Sequence, residues 1–227
     1  MKSLQTRDPV NKVVTDLYER IGLARLGLMN NQVWHDDPRR LVFTLARYKF
    51  VSKMLSGYGN VLEVGCGDAF CARVVAQEVK RLTVTDYDPL FIEDALSRME
   101  EPWVFNAKAH DILEGPVQGS FDAAYSLDVM EHIPQELEDV YLRNIKASLT
   151  PQGVLIIGMP SLESQQHASA SSRAGHINCK TGEDLRKVLR EHFHNVFLFS
   201  MNDEVVHTGF SKMAHYLFGL CAGKIEA

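Results

Sequence analysis

Val61-Leu62-Glu63-Val64-Gly65-Cys66-Gly67-Asp68 is the stretch whose reading decides the fold of this chain. A short run of apolar and β-branched residues enters a glycine-flanked turn, and an amphipathic segment follows at about 69–79. A run of that length bounded by a turn signal reads as a buried strand. Glycine permits a tight strand-to-helix turn and lets a ligand approach the main chain closely. The helix start beyond it offers unpaired N–H groups and the positive end of a dipole. The third glycine of the dinucleotide fingerprint is missing, because Phe70 stands at that position. Asp86, 21 residues after Gly65, falls at the expected end of the next strand, where a carboxylate can accept hydrogen bonds from ribose hydroxyls. Together these residues imply a nucleoside-bearing ligand at the carboxyl edge of a sheet, with nothing that requires a pyrophosphate.

Working outward, short apolar runs recur at Val61–Val64, Leu82–Thr85, Trp103–Phe105, Phe121–Leu127, Val154–Met159 and Val196–Phe199. Helical patterns separate several of them, at about 69–79, 89–99, 133–148 and 181–191. This alternation predicts an α/β fold: a doubly wound, mostly parallel sheet with helices on both faces. The apolar stretch Tyr216–Cys221 is assigned to a further strand. Ahead of the first strand, spacing predicts one helix over 9–28, ended by Gly27 and the polar stretch Asn30–Gln32, and a second from Pro38 to a stop at Gly57 and Gly59. The domain boundary is therefore drawn between an N-terminal helical cap, 1–58, and a core, 59–227, sharing one domain.

Composition excludes several classes. Of 227 residues, 45% are hydrophobic and 23% charged, which is ordinary globular usage and rules out a disordered or collagenous chain. No apolar run approaches the roughly 18 residues of a membrane span, and the polar start of the chain lacks a signal-peptide pattern. The four cysteines are too scattered for a disulfide framework or a zinc knuckle, so the thiols are expected to be reduced and the protein cytoplasmic. The net charge of −5 divides unevenly: residues 1–58 carry +5 and the remainder −10. A net acidic chain is a poor nonspecific nucleic-acid binder, whereas a basic cap over an acidic body could steer an anionic small molecule.

The motifs resemble those of class I S-adenosylmethionine-dependent methyltransferases. Val61–Asp68 looks like their first motif, Thr85-Asp86-Tyr87-Asp88 like the acidic end of their second strand, and Phe121–Asp128 like their fourth. His110-Asp111-Ile112-Leu113 falls where the family touches adenine, and Leu149-Thr150-Pro151-Gln152-Gly153 is similar to the turn before the fifth strand. The resemblance covers about 60–200 and implies a Rossmann-like, seven-stranded sheet whose last strand is antiparallel. It implies S-adenosyl-L-methionine as cofactor, bound by Glu63, Gly65, Cys66, Gly67, Asp68, Asp86, Tyr87, Asp111, Ile112 and Leu127. That cofactor has no phosphate, which fits the absent third glycine, and Glu63 and Asp68 bring negative charge near its cationic centre.

After the fourth strand comes Asp128-Val129-Met130-Glu131-His132, and His176 arrives later in Gly175-His176. Two carboxylates and imidazoles at the rim of the site form a hard-cation or general-base set. The pattern resembles ubiquinone-pathway O-methyltransferases and small-RNA terminal 2′-O-methyltransferases. On that resemblance His132, His176 and Glu131 are candidate catalytic residues, and Asp128, Glu131, His132 and His176 candidate ligands of a divalent cation such as Mg. A structural alternative has Glu131 and His132 capping a helix and bonding the loop around His176. The expected activity is methyl transfer to a hydroxyl of a small molecule, such as a sugar, quinone or secondary metabolite, with an anionic group matching Arg39, Arg40, Arg47 and Lys49. The alternatives are N-methylation of a small amine, RNA 2′-O-methylation and noncatalytic cofactor binding. The polar segment Ser161–Gly175 is expected to be a loop that could serve as a lid. A homodimer is compatible with the sequence.

Overall fold

The computed structural model describes residues 4–101 and 103–226. Helices α1 (Lys12–Ile21), α2 (Leu28–Asp36) and α3 (Pro38–Met54) precede the sheet. Five strands run parallel: β1 (Asn60–Val64), β2 (Arg81–Asp86), β3 (Asn106–Ala109), β4 (Phe121–Leu127) and β5 (Leu149–Pro160). Between them lie α4 (Ala72–Ala76), α5 (Pro89–Ser97) and α6 (Glu138–Ser148), and β5 is followed by α7 (Ala170–Gly175) and α8 (Gly182–Arg190). The chain closes with β6 (Phe193–Asn202), β7 (Val205–His207) and β8 (Tyr216–Lys224).

Strand order is β3-β2-β1-β4-β5-β8-β6-β7, with β8 inserted antiparallel between β5 and β6. The order reverses between β1 and β4, and in an open α/β sheet the crevice at the carboxyl ends of such strands is where ligands bind. Side chains of the central strands alternate between two apolar layers. Val61, Ala123, Tyr125 and Ile156 face α3, α4 and α5, while Leu62, Ala124, Leu155 and Ile157 face α6 and α8. Each Leu or Ile fully buried in this way contributes on the order of 2 kcal/mol. Local signals set the helix starts. Asp37, Asp88 and Thr181 accept hydrogen bonds from the second or third helical N–H of α3, α5 and α8.

Several expectations are corrected. Among the described residues the sheet has eight strands rather than seven, because Val205–His207 folds back on β6 as a short edge hairpin. The third strand is Asn106–Ala109, while the apolar run Trp103–Phe105 leads into it and buries Phe105. The helix expected over 9–28 stops at Gly22, whose φ of +77° is helix-breaking, and Asn30–Gln32 lie inside α2 rather than ending a helix. Ser161–Gly175 is not a featureless loop: it contains a helical turn at Glu163–His167 and α7. Leu41, Tyr48 and Val51 of α3 pack in the layer beneath β1 and β4, so the helices ahead of residue 58 share apolar packing with the sheet. No helix among the described residues is long and apolar enough to cross a membrane.

Candidate active site

The glycine turn is built by backbone geometry. Gly65 and Gly67 have φ of +77° and +53°, a region that disfavours any side chain. The turn is tied to β2: the N–H groups of Gly65 and Cys66 donate to the Thr85 carbonyl at 2.8 and 3.0 Å. Asp86 accepts from the Gly67 N–H at 2.8 Å through Oδ2 and from the Asp88 N–H at 3.0 Å through Oδ1. Its buried carboxylate thus braces the turn and lines the cavity beside it.

Two cavities meet over this turn and share Met29, Gly65, Gly67, Asp128 and His132. One, of about 570 Å³, is bounded by Asp86, Tyr87, Phe91, Asp111, Ile112 and Val129. It has an acid at the end of β2 and a largely apolar far wall. The other, of about 400 Å³, lies under the N-terminal helices and is lined by Arg40, Thr44, Arg47, Asp68, Glu131 and His176, among others.

Glu63 is set apart from both. Its carboxylate is 1% exposed and receives the Tyr48 hydroxyl on Oε1 and the Tyr125 hydroxyl, at 2.8 Å, on Oε2. Burial pushes this carboxyl up to about 7, with Asp86 and Asp68 adding to the rise and the two tyrosine hydroxyls opposing it. Tyr48 belongs to α3 and Tyr125 to β4, so Glu63 joins the N-terminal helices to the sheet.

Two further contacts hold the N-terminal helices over the site. Asp68 accepts from the Asn30 N–H at 2.8 Å and from the Asn30 side-chain amide at 2.7 Å. Gly27 makes that approach possible, since a Cβ there would stand 2.6 Å from Asp68 Oδ2, and its φ is +96°. Arg47 Nη1 donates to both carboxylate oxygens of Asp128, at 2.9 and 2.8 Å, while its guanidinium lies 4.0 Å from the centre of the Tyr216 ring. Asp128 is held at a φ of +57°, an uncommon conformation for a side-chain-bearing residue.

Beside Asp128, Glu131, His132 and His176 converge, with one ligand atom from each lying within 4.8 Å of the others. Glu131 is 1% exposed and neither carboxylate oxygen has a hydrogen-bond partner among the described residues. Burial pushes its carboxyl well above the ordinary range, and the neighbouring Asp128 adds to this while Arg47 opposes it. His132 Nδ1 lies 2.8 Å from the Gly175 carbonyl, which can only accept, so Nδ1 carries a proton and the lone pair of the neutral ring lies on Nε2. The His132 and His176 rings meet edge to face at 5.2 Å. An orphaned buried carboxylate beside imidazole lone pairs is a donor set that suits a divalent cation. Asp128 is engaged by Arg47 and is not a member of this group.

A family model describing a methyltransferase domain matches residues 33–193. The chain belongs to the class I S-adenosylmethionine-dependent methyltransferase family. Among curated relatives, a ubiquinone biosynthesis O-methyltransferase of Xanthomonas axonopodis pv. citri is 27% identical over 142 residues, which is 60% of this chain and 59% of that protein. Nodulation protein S of Bradyrhizobium diazoefficiens is 27% identical over 172 residues, 73% of this chain and 82% of that protein. The chain therefore spans about three-fifths of the length of the ubiquinone-pathway relatives it matches. Among solved structures, the N-methyltransferase NodS of Bradyrhizobium japonicum WM9 in complex with S-adenosyl-L-homocysteine aligns with a TM-score of 0.64 at 23% identity, covering 92% of this chain and 97% of that one.

In this methyltransferase, the sequence-predicted residues Gly65, Cys66, Gly67, Asp68, Asp86, Tyr87, Asp111, Ile112 and Leu127 all line one or both cavities. Glu63 does not, because its carboxylate is turned into the core between two tyrosines. Met29, Asn30, Thr44 and Tyr48 also line the site, and sequence reasoning missed them. Asn30 was hidden by a reading that made Asn30–Gln32 a helix end.

Proposed function

We propose that the protein transfers a methyl group from S-adenosylmethionine to a hydroxyl of a small anionic molecule. In this reading the cofactor's nucleoside lies in the cavity bounded by Asp86, Asp111 and Ile112, with the Asp86 carboxylate turned to the ribose hydroxyls. The cavity under the N-terminal helices takes the acceptor. S-adenosylmethionine supplies an electrophilic methyl when bound, so the protein must align an acceptor oxygen and manage its proton. The observation that carries the choice of oxygen is the Glu131–His132–His176 group at the junction of the two cavities. An amine acceptor needs little beyond a free lone pair, whereas a hydroxyl needs a base or a cation. His132 Nε2 is the base this geometry leaves free. A divalent cation held by Glu131, His132 and His176 would lower the pKa of a hydroxyl bound there.

Arg40 supports the anionic class. Arg39 and Arg47 pair with Asp37 and Asp128, whereas Arg40 lines the acceptor cavity with no ion-pair partner among the described residues. N-methylation is the second reading, favoured by the match to nodulation protein S, which covers more of this chain than the ubiquinone-pathway relatives do.

The test is an acceptor panel of phenols, sugars and amines, with and without a carboxylate or phosphate, read by adenosylhomocysteine release. Anionic hydroxyl compounds should turn over. Arg40→Ala should raise their KM roughly tenfold at unchanged kcat, as expected for one charge-assisted contact. Turnover of amines alone would overturn the oxygen assignment. Equal KM values in the two proteins would overturn the anionic one.

A further inference from the structure

The segment Ser161–Gly175 does more than border the acceptor cavity. Each imidazole of the Glu131–His132–His176 group is held at Nδ1 by an oxygen from this segment. For His132 it is the Gly175 carbonyl at the end of α7. For His176 it is Gln165 Oε1, at 2.9 Å. A side-chain amide can face either way, but here its orientation is fixed by its other end. Gln165 Nε2 is 3.2 Å from the Ser161 carbonyl, which can only accept, and 3.3 Å from Ser164 Oγ. The amide nitrogen must therefore point to Ser161, which leaves the oxygen facing His176. An oxygen there requires that His176 carry its proton on Nδ1.

Ser161 is itself immobilised. It is fully buried at the end of β5, its hydroxyl donates to the Ala214 carbonyl at 2.6 Å, and its N–H donates to the His215 carbonyl at 3.0 Å. A chain of fixed contacts thus runs from the β5–β8 edge through Ser161 and Gln165 to the ring of His176. The loop on the far side of that ring is anchored too: the Asn178 N–H donates to the Glu131 carbonyl at 3.0 Å, and the Asn178 amide donates to Glu138 at 2.8 Å.

We infer that Gln165 is a positioning residue: through the Ser161 carbonyl it fixes His176 in the Nδ1–H tautomer, so that its Nε2 lone pair, like that of His132, is available to the cavity that holds Glu131. Its part in methyl transfer rests on the reading of this group given above. Its part in orienting His176 does not.

The experiment uses the full chain labelled with ¹⁵N-histidine, with the protonated nitrogen of His176 identified by long-range ¹H–¹⁵N correlation at a pH where the ring is neutral. In the wild type, Nδ1 should carry the proton. Gln165→Leu keeps the size of the side chain and removes the acceptor, so it should abolish that preference. Gln165→Ala removes the acceptor as well and provides a second variant if the leucine protein folds poorly. An unchanged Nδ1–H tautomer in either variant would overturn the inference. Once an acceptor is in hand, Gln165→Leu should lower turnover about 10- to 100-fold, the usual cost of removing the partner that orients a working imidazole. A changed tautomer with unchanged turnover would sink the catalytic reading of the histidines and leave the positioning intact.

Discussion

Replacing Glu63 by glutamine should invert the stability order of the two proteins as pH rises. In the folded wild type, burial moves this carboxyl from 4.5 up to about 7. Below 4.5 the side chain is neutral in both folded and unfolded chains, and its contribution to stability is fully present. As pH rises through the window from 4.5 to about 7, the unfolded chain ionises while the folded one stays protonated, so stability falls. At about 1.4 kcal/mol for each pH unit between the two values, the loss is about 3 kcal/mol, complete by about pH 8. The amide of the Glu63→Gln variant cannot ionise, so that protein escapes this loss. At low pH it should be the weaker protein by about 1 kcal/mol, because an amide meets two tyrosine hydroxyls less well than a carboxyl does. At about pH 8 it should be the more stable by about 2 kcal/mol. Urea unfolding of both proteins at about pH 4 and about pH 8 provides the measurement, and the difference between them cancels all other titrations. A difference that stays constant across that range would refute the burial of the Glu63 carboxyl between Tyr48 and Tyr125.

Asp86→Ala should weaken adenosylhomocysteine binding at least tenfold in calorimetry, since it removes the brace on the Gly67 N–H as well as the carboxylate in the cavity. The two glycines of the turn should differ. Gly67→Ala places its methyl against the end of the flexible Met29 side chain and should cost about 1 kcal/mol of backbone strain. Gly65→Ala meets the stiff Val129 and should cost about 2 kcal/mol or more, partly recovered in a double variant with Val129→Ala; thermal unfolding checks both. Arg47→Ala removes the partner of Asp128 and the stacking on Tyr216, and should lower stability by about 2 kcal/mol in urea.

What could be read from the sequence was local. The turn at Gly65–Gly67 and the acid at Asp86 depend on spacing along the chain, and both stand where spacing put them. The third strand was misplaced because it lies at a sheet edge, where Asn106–Ala109 need little apolar character, while the more apolar Phe105 just before it fills the core. The hairpin strand Val205–His207 is too short to show any alternation. The contacts that assemble the site are long-range: Arg47 meets Asp128 across 81 positions, and Asn30 meets Asp68 across 38. No periodicity reports such pairs. Gln165 gave no signal at all, because a glutamine in a polar, serine-rich stretch resembles any solvated loop until the position of Ser161 is known.

The way α3 divides its work bears on how such an enzyme can change. Arg40, Phe43, Thr44 and Arg47 all line the cavity from this one helix, while the side-chain hydrogen bonds of Arg47 to Asp128 and of Tyr48 to Glu63 both come from its second half. On the proposed reading, substitutions at Arg40 or Thr44 would meet the acceptor without breaking those hydrogen bonds, whereas a change at Arg47 would alter selectivity and anchoring together. New acceptors should therefore be reached through the first two turns of α3, and a mutational library aimed at altered substrate choice belongs there.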